Sequence, residues 1–404
     1  ARMIPPPFPT AAPFRVDQVA AAPLLMTGLF VAQGLLAILI HVAGVKQWRR
    51  LWSAGVIALL LLVFLFFTLA SWGNSDATKL SHDLAYSVSR VRGEPLWMLG
   101  APLIVLLPYR MSMVHGLVAG GYAAAGLLLA RHWRCPAWGG WWALLLCCSP
   151  LLRGFLQNAH TRQALLSLLL LPILLWAGRL ARPARWGTVL ATLGAATVHT
   201  SFAGTLPLAL LPRALVAAPS DRDAICSLFG RRWLWLLVLL PVALISATSA
   251  PVMLIKLVRY AGTEAYSNRY PLAPAVQQLL LAMGLGVLLT CWCRRLGPRQ
   301  LMACGPTRVL LLFAGIYGVL QLSIACAWYP QITSRFADPV GLFLLVSWLA
   351  WLRHHGCLWA VLPALLVTLN GWLVDRLLGS GLLDCGRNDE FLCVPDRWPW
   401  QVRY

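Results

Sequence analysis

Long apolar runs separated by short polar connections constrain this chain more than any other feature. A helix needs about 20 apolar residues to cross the roughly 30 Å of hydrocarbon in a bilayer. Runs suited to helices occur at 21–45, 51–72, 111–130, 137–152, 164–177, 186–198, 202–217, 233–255, 275–292, 309–328, 340–352 and 357–378. With a mean hydropathy of +0.72, the chain is predicted to be an all-α polytopic membrane protein with about twelve transmembrane helices.

The basic residues alternate with the apolar runs and predict the topology. Of the 13 acidic residues, only Asp221 and Asp223 fall in the basic connections. The positive-inside rule places those connections in the cytoplasm and both termini outside. The predicted organisation is an extracytoplasmic segment 1–20, a transmembrane domain 21–378 with outward loops 73–110, 153–163, 256–274 and 329–339, and an outward tail 379–404.

The formal net charge of +20 does not indicate a nucleic-acid partner. The basic residues form short clusters between apolar runs, without a basic domain or an aromatic-basic surface module. Topology accounts for many of them, and an anionic membrane substrate would account for others.

Two polar groups flank a predicted hairpin of membrane helices. Arg162 and Gln163 open the first helix, and His199 follows the second. From position 186 to 199 a helix rises only about 21 Å, less than the bilayer hydrocarbon, so His199 is expected within the membrane depth near Arg162. Ionisable groups at that depth are costly unless they line a cavity or meet a charged ligand, which predicts a site here.

Several arginines are predicted at the outer ends of different helices. They are Arg153, Arg162, Arg259, Arg269 and Arg335. Guanidinium forks match phosphate oxygens, so a convergent set would suit a lipid pyrophosphate whose tail stays in the bilayer. The alternative is that each arginine only anchors a helix end at headgroup level.

The first outward loop holds candidate acid–base residues. Glu94 precedes Pro95 and an apolar stretch that is too short to span, and it is either a general base or an acid at a helix N-terminus. His199, at the end of a later predicted span, is either a base, a hydrogen-bond donor to a phosphate or sugar oxygen, or a buried residue hydrogen-bonded across helices. Asp83 and Tyr86 either bind sugar or hold the loop in shape.

No metal or cofactor is predicted. The predicted outward loops hold no DxD motif, the acids of the first loop are too scattered for a cation site, and the histidines, including His354 and His355, show no ligand spacing. Most cysteines read as small core residues. Cys385 and Cys393 lie together in the polar tail, where a disulfide is possible outside the cytoplasm.

The order of these motifs resembles a known family. Asp83 with Tyr86, Glu94-Pro95, Arg162-Gln163 opening a helix, and His199 with Ser201 are followed by a loop rich in Tyr and Arg that holds Arg259 and Arg269, and then by Arg335. This order, over about 83–348, resembles the EpsG-like and Wzy polysaccharide polymerases. The segment from 385 onward and the Pro-rich start have no counterpart in the resemblance.

The resemblance implies a GT-C-type glycosyltransferase fold in the bacterial inner membrane, with its active site on the periplasmic side. Such enzymes join oligosaccharide repeat units carried on undecaprenyl pyrophosphate, without a cofactor, and a chain-length regulator is a further expected partner. Carried over by position, Arg162, Arg335 and Arg269 would bind the donor pyrophosphate. Glu94 or His199 would activate or orient the acceptor hydroxyl.

Three other functions remain open at this point. An O-antigen ligase uses the same donor, although it usually has a larger late periplasmic loop. A GT-C monosaccharide transferase with an acidic pair early in the first loop is kept open by Asp76 and Asp83. A flippase for lipid-linked sugars would also need a cationic cavity, and arginines facing a cytoplasmic cavity would favour it.

Overall fold

The computed structural model of the chain describes residues 16–70, 94–107, 110–152, 161–181, 185–199, 201–216, 274–326 and 330–377. Within these ranges every regular element is helical. The α-helices are α1 Val16–Val45, α2 Arg49–Ala70, α3 Pro95–Leu106, α4 Arg110–His132, α5 Gly139–Cys148, α6 Thr161–Ala177, α7 Arg185–Val198, α8 Phe202–Leu210, α9 Pro212–Val216, α10 Pro274–Arg294, α11 Pro298–Ala303, α12 Gly305–Ala325, α13 Pro330–His354 and α14 Leu362–Leu377. Short 3₁₀ turns at Pro136–Trp138 and Leu358–Val361 precede α5 and α14.

Six helices in the described part of the chain are long and apolar enough to cross a membrane: α1, α2, α4, α10, α12 and α13. The prediction of an all-α polytopic membrane protein is therefore confirmed. Other predicted spans correspond to shorter apolar helices, and the run 233–255 lies outside the described residues. The count of about twelve spans and the GT-C architecture stay predictions.

Helix α13 is central in the bundle. Of its apolar window 83% is buried, compared with 28% for α10 and for α12. Its Trp348 and Trp351 pack in the core with Trp142 of α5. Helices α4 and α5 approach closely because Gly126 has no side chain, and a Cβ there would lie 2.6 Å from the Ala143 nitrogen. Sparsely buried helices such as α10 turn apolar faces outward, as lipid contact requires.

Prolines shift several boundaries away from the predicted ones. Helix α13 begins at Pro330, so the predicted outward connection 329–339 is helical from Pro330 onward and Arg335 lies inside the helix. Helix α5 ends at Cys148 because Ser149 is extended before Pro150. The predicted run 202–217 is divided between α8 and α9, where Pro212 begins the second helix.

Candidate functional site

The short helix α3 carries Glu94 into the bundle. With 12 residues it rises only about 18 Å, so it cannot cross the hydrocarbon. Glu94 occupies the N-cap position and Pro95 the first turn, where the missing proline N–H has no consequence. The Trp97 indole Nε1 donates to the carbonyl of Val198 at 2.7 Å. This bond ties the start of α3 to the end of α7, immediately before His199.

Glu94 and Arg162 form an ion pair at the centre of the site. The Glu94 side chain is fully buried, and its Oε2 lies 2.6 Å from Arg162 Nη1. Arg162 is the second residue of α6, and 26% of its side chain is exposed. A buried carboxylate is costly without a partner, so the guanidinium is the group that makes this position tolerable for Glu94.

His199 completes a chain of polar groups on the other side of Glu94. Its Nε2 lies 3.8 Å from Glu94 Oε1. Its Nδ1 accepts the backbone N–H of Ser201 at 3.0 Å and lies 2.7 Å from the Ser201 hydroxyl. Because Nδ1 acts as an acceptor, the neutral ring carries its proton on Nε2, the nitrogen that faces Glu94.

One oxygen of Glu94 has no hydrogen bond in the described structure. Oε1 is buried and makes none with the described residues, while Oε2 is held by Arg162. Buried carboxylate oxygens almost always have hydrogen-bond partners. The separation of 3.8 Å between Oε1 and His199 Nε2 exceeds a hydrogen bond, so this oxygen is positioned to accept a proton from a third group.

Helices α6, α8 and α13 meet beside this ion pair. The Gln163 side-chain amide donates to the backbone carbonyl of Arg335. Gly204 of α8 lets Phe336 approach, since a Cβ there would lie 2.6 Å from Phe336 Cε1. These contacts place the Arg335 backbone beside the start of α6. The half-buried Arg335 side chain lies on the same helix face as Asp338, three residues later.

Two further polar residues support the site and were not singled out from the sequence. His115 of α4 is buried, and its Nδ1 lies 3.0 Å from the Thr161 hydroxyl at the start of α6. Asp338 lies within electrostatic range of the buried Tyr122, whose hydroxyl donates to the Ala164 carbonyl at 2.7 Å. His115 lies inside the apolar run 111–130, and an ionisable residue at membrane depth is the sequence signal that could have identified it.

The structure thus brings together part of the predicted set. Glu94 lies between Arg162, with which it forms an ion pair, and His199, whose Nε2 is 3.8 Å away. Gln163 donates a hydrogen bond to the backbone carbonyl of Arg335. The other predicted residues lie outside the described residues: Asp83, Tyr86, Arg153, Arg259, Arg269, Cys385 and Cys393.

A second polar region lies at the opposite end of α6, about 25 Å from Arg162 along the helix axis. Here a cavity of about 370 Å³ is lined by His132, Arg134, Arg179, Arg353 and His354, among others, and none of the described residues in its lining is acidic. Arg134 and Arg179 take left-handed backbone conformations, with φ of 58° and 52°, just beyond the ends of α4 and α6. Arg353 Nε donates to the Trp133 carbonyl at 2.9 Å.

A cluster of possible metal ligands lies near that cavity. Cys304, His354 and His355 place one donor atom each within 4.8 Å of one another. Burial, then the neighbouring His354 and Arg294, lower the pKa of His355. No spacing in the sequence indicates this cluster, because Cys304 precedes α12 while His354 ends α13 and His355 follows it.

The comparisons with known proteins identify no relative. A scan against protein-family models, a search of curated proteins and a search of solved structures each found no match to this chain. The functional interpretation therefore rests on the geometry of the residues and on the order of the motifs.

Proposed function

We propose that this chain is a GT-C-type glycosyltransferase that polymerises undecaprenyl-pyrophosphate-linked oligosaccharide repeat units at the periplasmic face of the bacterial inner membrane. One observation carries the proposal. Glu94 is a fully buried carboxylate with one oxygen on Arg162 and the other, without a hydrogen bond in the described structure, facing His199. A paired but incompletely satisfied acid at the end of a non-spanning helix is typical of a catalytic position.

The reaction assigns one role to each of these groups. The acceptor hydroxyl attacks the anomeric carbon of the donor, forming a new carbon–oxygen bond. The bond between that carbon and the pyrophosphate breaks, and its electron pair leaves with the pyrophosphate. Glu94 Oε1 takes the proton of the hydroxyl, and the Nε2 proton of His199 orients the acceptor oxygen. Arg162 stabilises the charge that grows on the leaving group.

Arg162 is placed to act on both Glu94 and a phosphate. Its Nη1 pairs with Glu94, while the 26% exposure of the side chain means that part of it reaches beyond the packed core. It also lies in the first turn of α6, where the backbone N–H groups and the helix dipole favour an anion. A pyrophosphate bound there would lie beside the base that activates the acceptor.

The second candidate function is a flippase for lipid-linked sugars. The cavity lined by Arg134, Arg179 and Arg353 at the other end of the bundle favours it, because a transporter needs cationic groups on both faces. Along α6, between the two polar regions, Leu166, Leu170 and Leu174 are fully buried. This apolar layer favours chemistry at one face over passage between the two, and we rank the polymerase first. An O-antigen ligase would share its donor chemistry, whereas a GT-C monosaccharide transferase would use a polyprenyl-phosphate sugar as donor.

The test uses purified full-length protein with an undecaprenyl-pyrophosphate-linked repeat unit, and the products are sized on a gel. We expect Glu94→Gln, Arg162→Gln and His199→Gln each to reduce long products by about a hundredfold or more, the range for loss of a positioned acid–base or charge-stabilising group. Arg50→Gln is the matched control, since Arg50 is likewise the second residue of a helix but is exposed.

Two outcomes would count against the polymerase. A normal ladder of products from Glu94→Gln would remove the residue on which the proposal depends. In cells, build-up of single lipid-linked units on the cytoplasmic face of an Arg162→Gln strain would support the flippase, whereas the polymerase predicts build-up on the outer face.

A further inference from the structure

Three helix ends meet at the face of the bundle opposite Glu94. Helix α11 ends at Ala303, α12 begins at Gly305 and α13 ends at His354. Cys304 is the single residue between the first two helices, and His355 directly follows the third. A thiol and two imidazoles from two separate chain segments therefore lie within 4.8 Å of one another.

The three donors suit a zinc ion. Zinc takes sulfur and imidazole nitrogen at about 2.0–2.3 Å in tetrahedral geometry, which places neighbouring donors roughly 3.5 Å apart. The donors lie within 4.8 Å of one another, so they need to approach by up to about 1.3 Å, which side-chain rotation can provide. Three protein ligands leave a fourth position for water.

His355 gives independent evidence for a ligand. Its Nε2 is buried and makes no hydrogen bond with any described residue. The ring is held by Trp351, with centroids 4.7 Å apart, and lies against His354 at 5.0 Å and 90°. Buried polar atoms usually have a partner, and a metal ion is a partner that an imidazole nitrogen held in this way can bind.

The surrounding backbone holds the two segments in place. Arg308 donates to the carbonyls of Met302 at 2.9 Å and Ala303 at 3.3 Å, which fixes the turn that carries Cys304. Arg294 donates to the Gly356 carbonyl at 3.1 Å, which fixes the turn after His355. Both guanidinium groups are positively charged and therefore repel a metal cation bound nearby. Each of them is hydrogen-bonded to backbone carbonyl oxygens.

The helix ends favour the charges that the site requires. The C-terminal end of α13 carries partial negative charge, which favours a cation beside His354 and His355. Cys304 occupies the N-cap position of α12, where partial positive charge favours a thiolate. One thiolate and two neutral imidazoles bind zinc in preference to harder cations such as magnesium or calcium.

We propose that Cys304, His354 and His355 bind one zinc ion that joins the α11–α12 turn to the end of α13. On binding, the Cys304 thiol releases its proton to solvent and its sulfur bonds the metal. The site is separate from the Glu94 region and does not depend on the function proposed for it.

The test is a titration of chelator-treated, full-length protein in detergent with cobalt and then with zinc. We expect one equivalent of cobalt to bind with a sulfur-to-cobalt charge-transfer absorption band, and zinc to displace it. Cys304→Ser should abolish the band. His354→Gln and His355→Gln should weaken binding by more than about tenfold, since loss of even an outer-shell partner costs that much.

Matched controls separate the site from its surroundings. Cys326→Ser removes an exposed cysteine at the other end of α12, and His132→Gln removes a histidine of the adjacent cavity, so both should bind cobalt as the unaltered chain does. His354 is exposed, so His354→Gln should keep the fold even if His355→Gln does not. Equal cobalt binding by Cys304→Ser, or loss of the band in Cys326→Ser, would overturn the proposal.

Discussion

The two polar ends of the bundle use arginine in different ways. At the Glu94 end, Arg162 pairs with a fully buried carboxylate that comes from a distant helix. At the other end, Arg353 and Arg294 donate to backbone carbonyls of Trp133 and Gly356, beyond helix C-termini. Arg162 compensates the charge of a carboxylate that would otherwise be costly to bury. Arg353 and Arg294 supply hydrogen bonds to backbone carbonyls that follow helix ends. Among these three described arginines, only Arg162 pairs with a carboxylate.

This difference predicts unequal costs for removing an arginine. Arg162→Gln leaves Glu94 charged, buried and unpaired, which should lower the free energy of unfolding by about 3–5 kcal/mol, with the lower end favoured by the partial exposure of Arg162. Arg353→Gln loses a bond to a carbonyl and should cost about 1–2 kcal/mol. Denaturant titration in micelles measures both.

A second substitution sharpens this prediction. Glu94→Gln combined with Arg162→Gln should be more stable than Arg162→Gln alone, because the unpaired charge is gone. If the double variant is no more stable than the single one, the buried ion pair does not hold this end of the bundle together.

The next largest effect is expected where α8 packs against α13. Gly204→Leu would push Phe336 away and disturb the backbone beside Arg335, with an expected cost of about 1–3 kcal/mol and a loss of polymer. Gly315→Leu is the control, since a Cβ at Gly315 in α12 meets nothing within 4 Å. Similar melting temperatures for the two variants would contradict the close packing.

A pair of tryptophans compares the two ends directly. Trp97 donates to the Val198 carbonyl at 2.7 Å near Glu94, and Trp133 donates to the Leu180 carbonyl at 3.1 Å at the other end. Trp97→Phe and Trp133→Phe should each lower the free energy of unfolding by about 1 kcal/mol. Only Trp97→Phe should slow polymer formation, because only that bond positions α3. Equal slowing by both would show that activity follows stability alone.

Cysteine labelling tests the two faces without changing stability. Burial raises the pKa of Cys135 to about 11, with Arg353 opposing the rise. The thiolate therefore forms only well above pH 8, and Cys135 should react with maleimide far more slowly at that pH than the exposed Cys293. Cys293, in the last turn of α10 beside a basic connection, should be shielded from an impermeant maleimide in intact cells, while Cys326 at the outer end of α12 should react. Labelling of both from one side would contradict the topology.

The sequence predicts the proximity of Arg162 and His199 better than it predicts the start of α13. Arg162 and His199 could be placed together because two consecutive spans return the chain to the same face. The early start of α13 could not be predicted, since the polar residues from Thr333 to Asp338 read as a connection, yet packing against α8 keeps them helical. The cluster of Cys304 with His354 and His355 was not predictable, because tertiary packing of α12 and α13 brings it together.

The most direct measurement of the central claim is the stoichiometry of the transfer step. Purified protein is mixed with an undecaprenyl-pyrophosphate-linked repeat unit, and mass spectrometry quantifies lipid-linked dimer and free undecaprenyl pyrophosphate. The account predicts equal amounts of the two products from the unaltered chain and a loss of both in Glu94→Gln. Equal product formation by Glu94→Gln, or transport of the substrate across sealed vesicles without any new glycosidic bond, would contradict it.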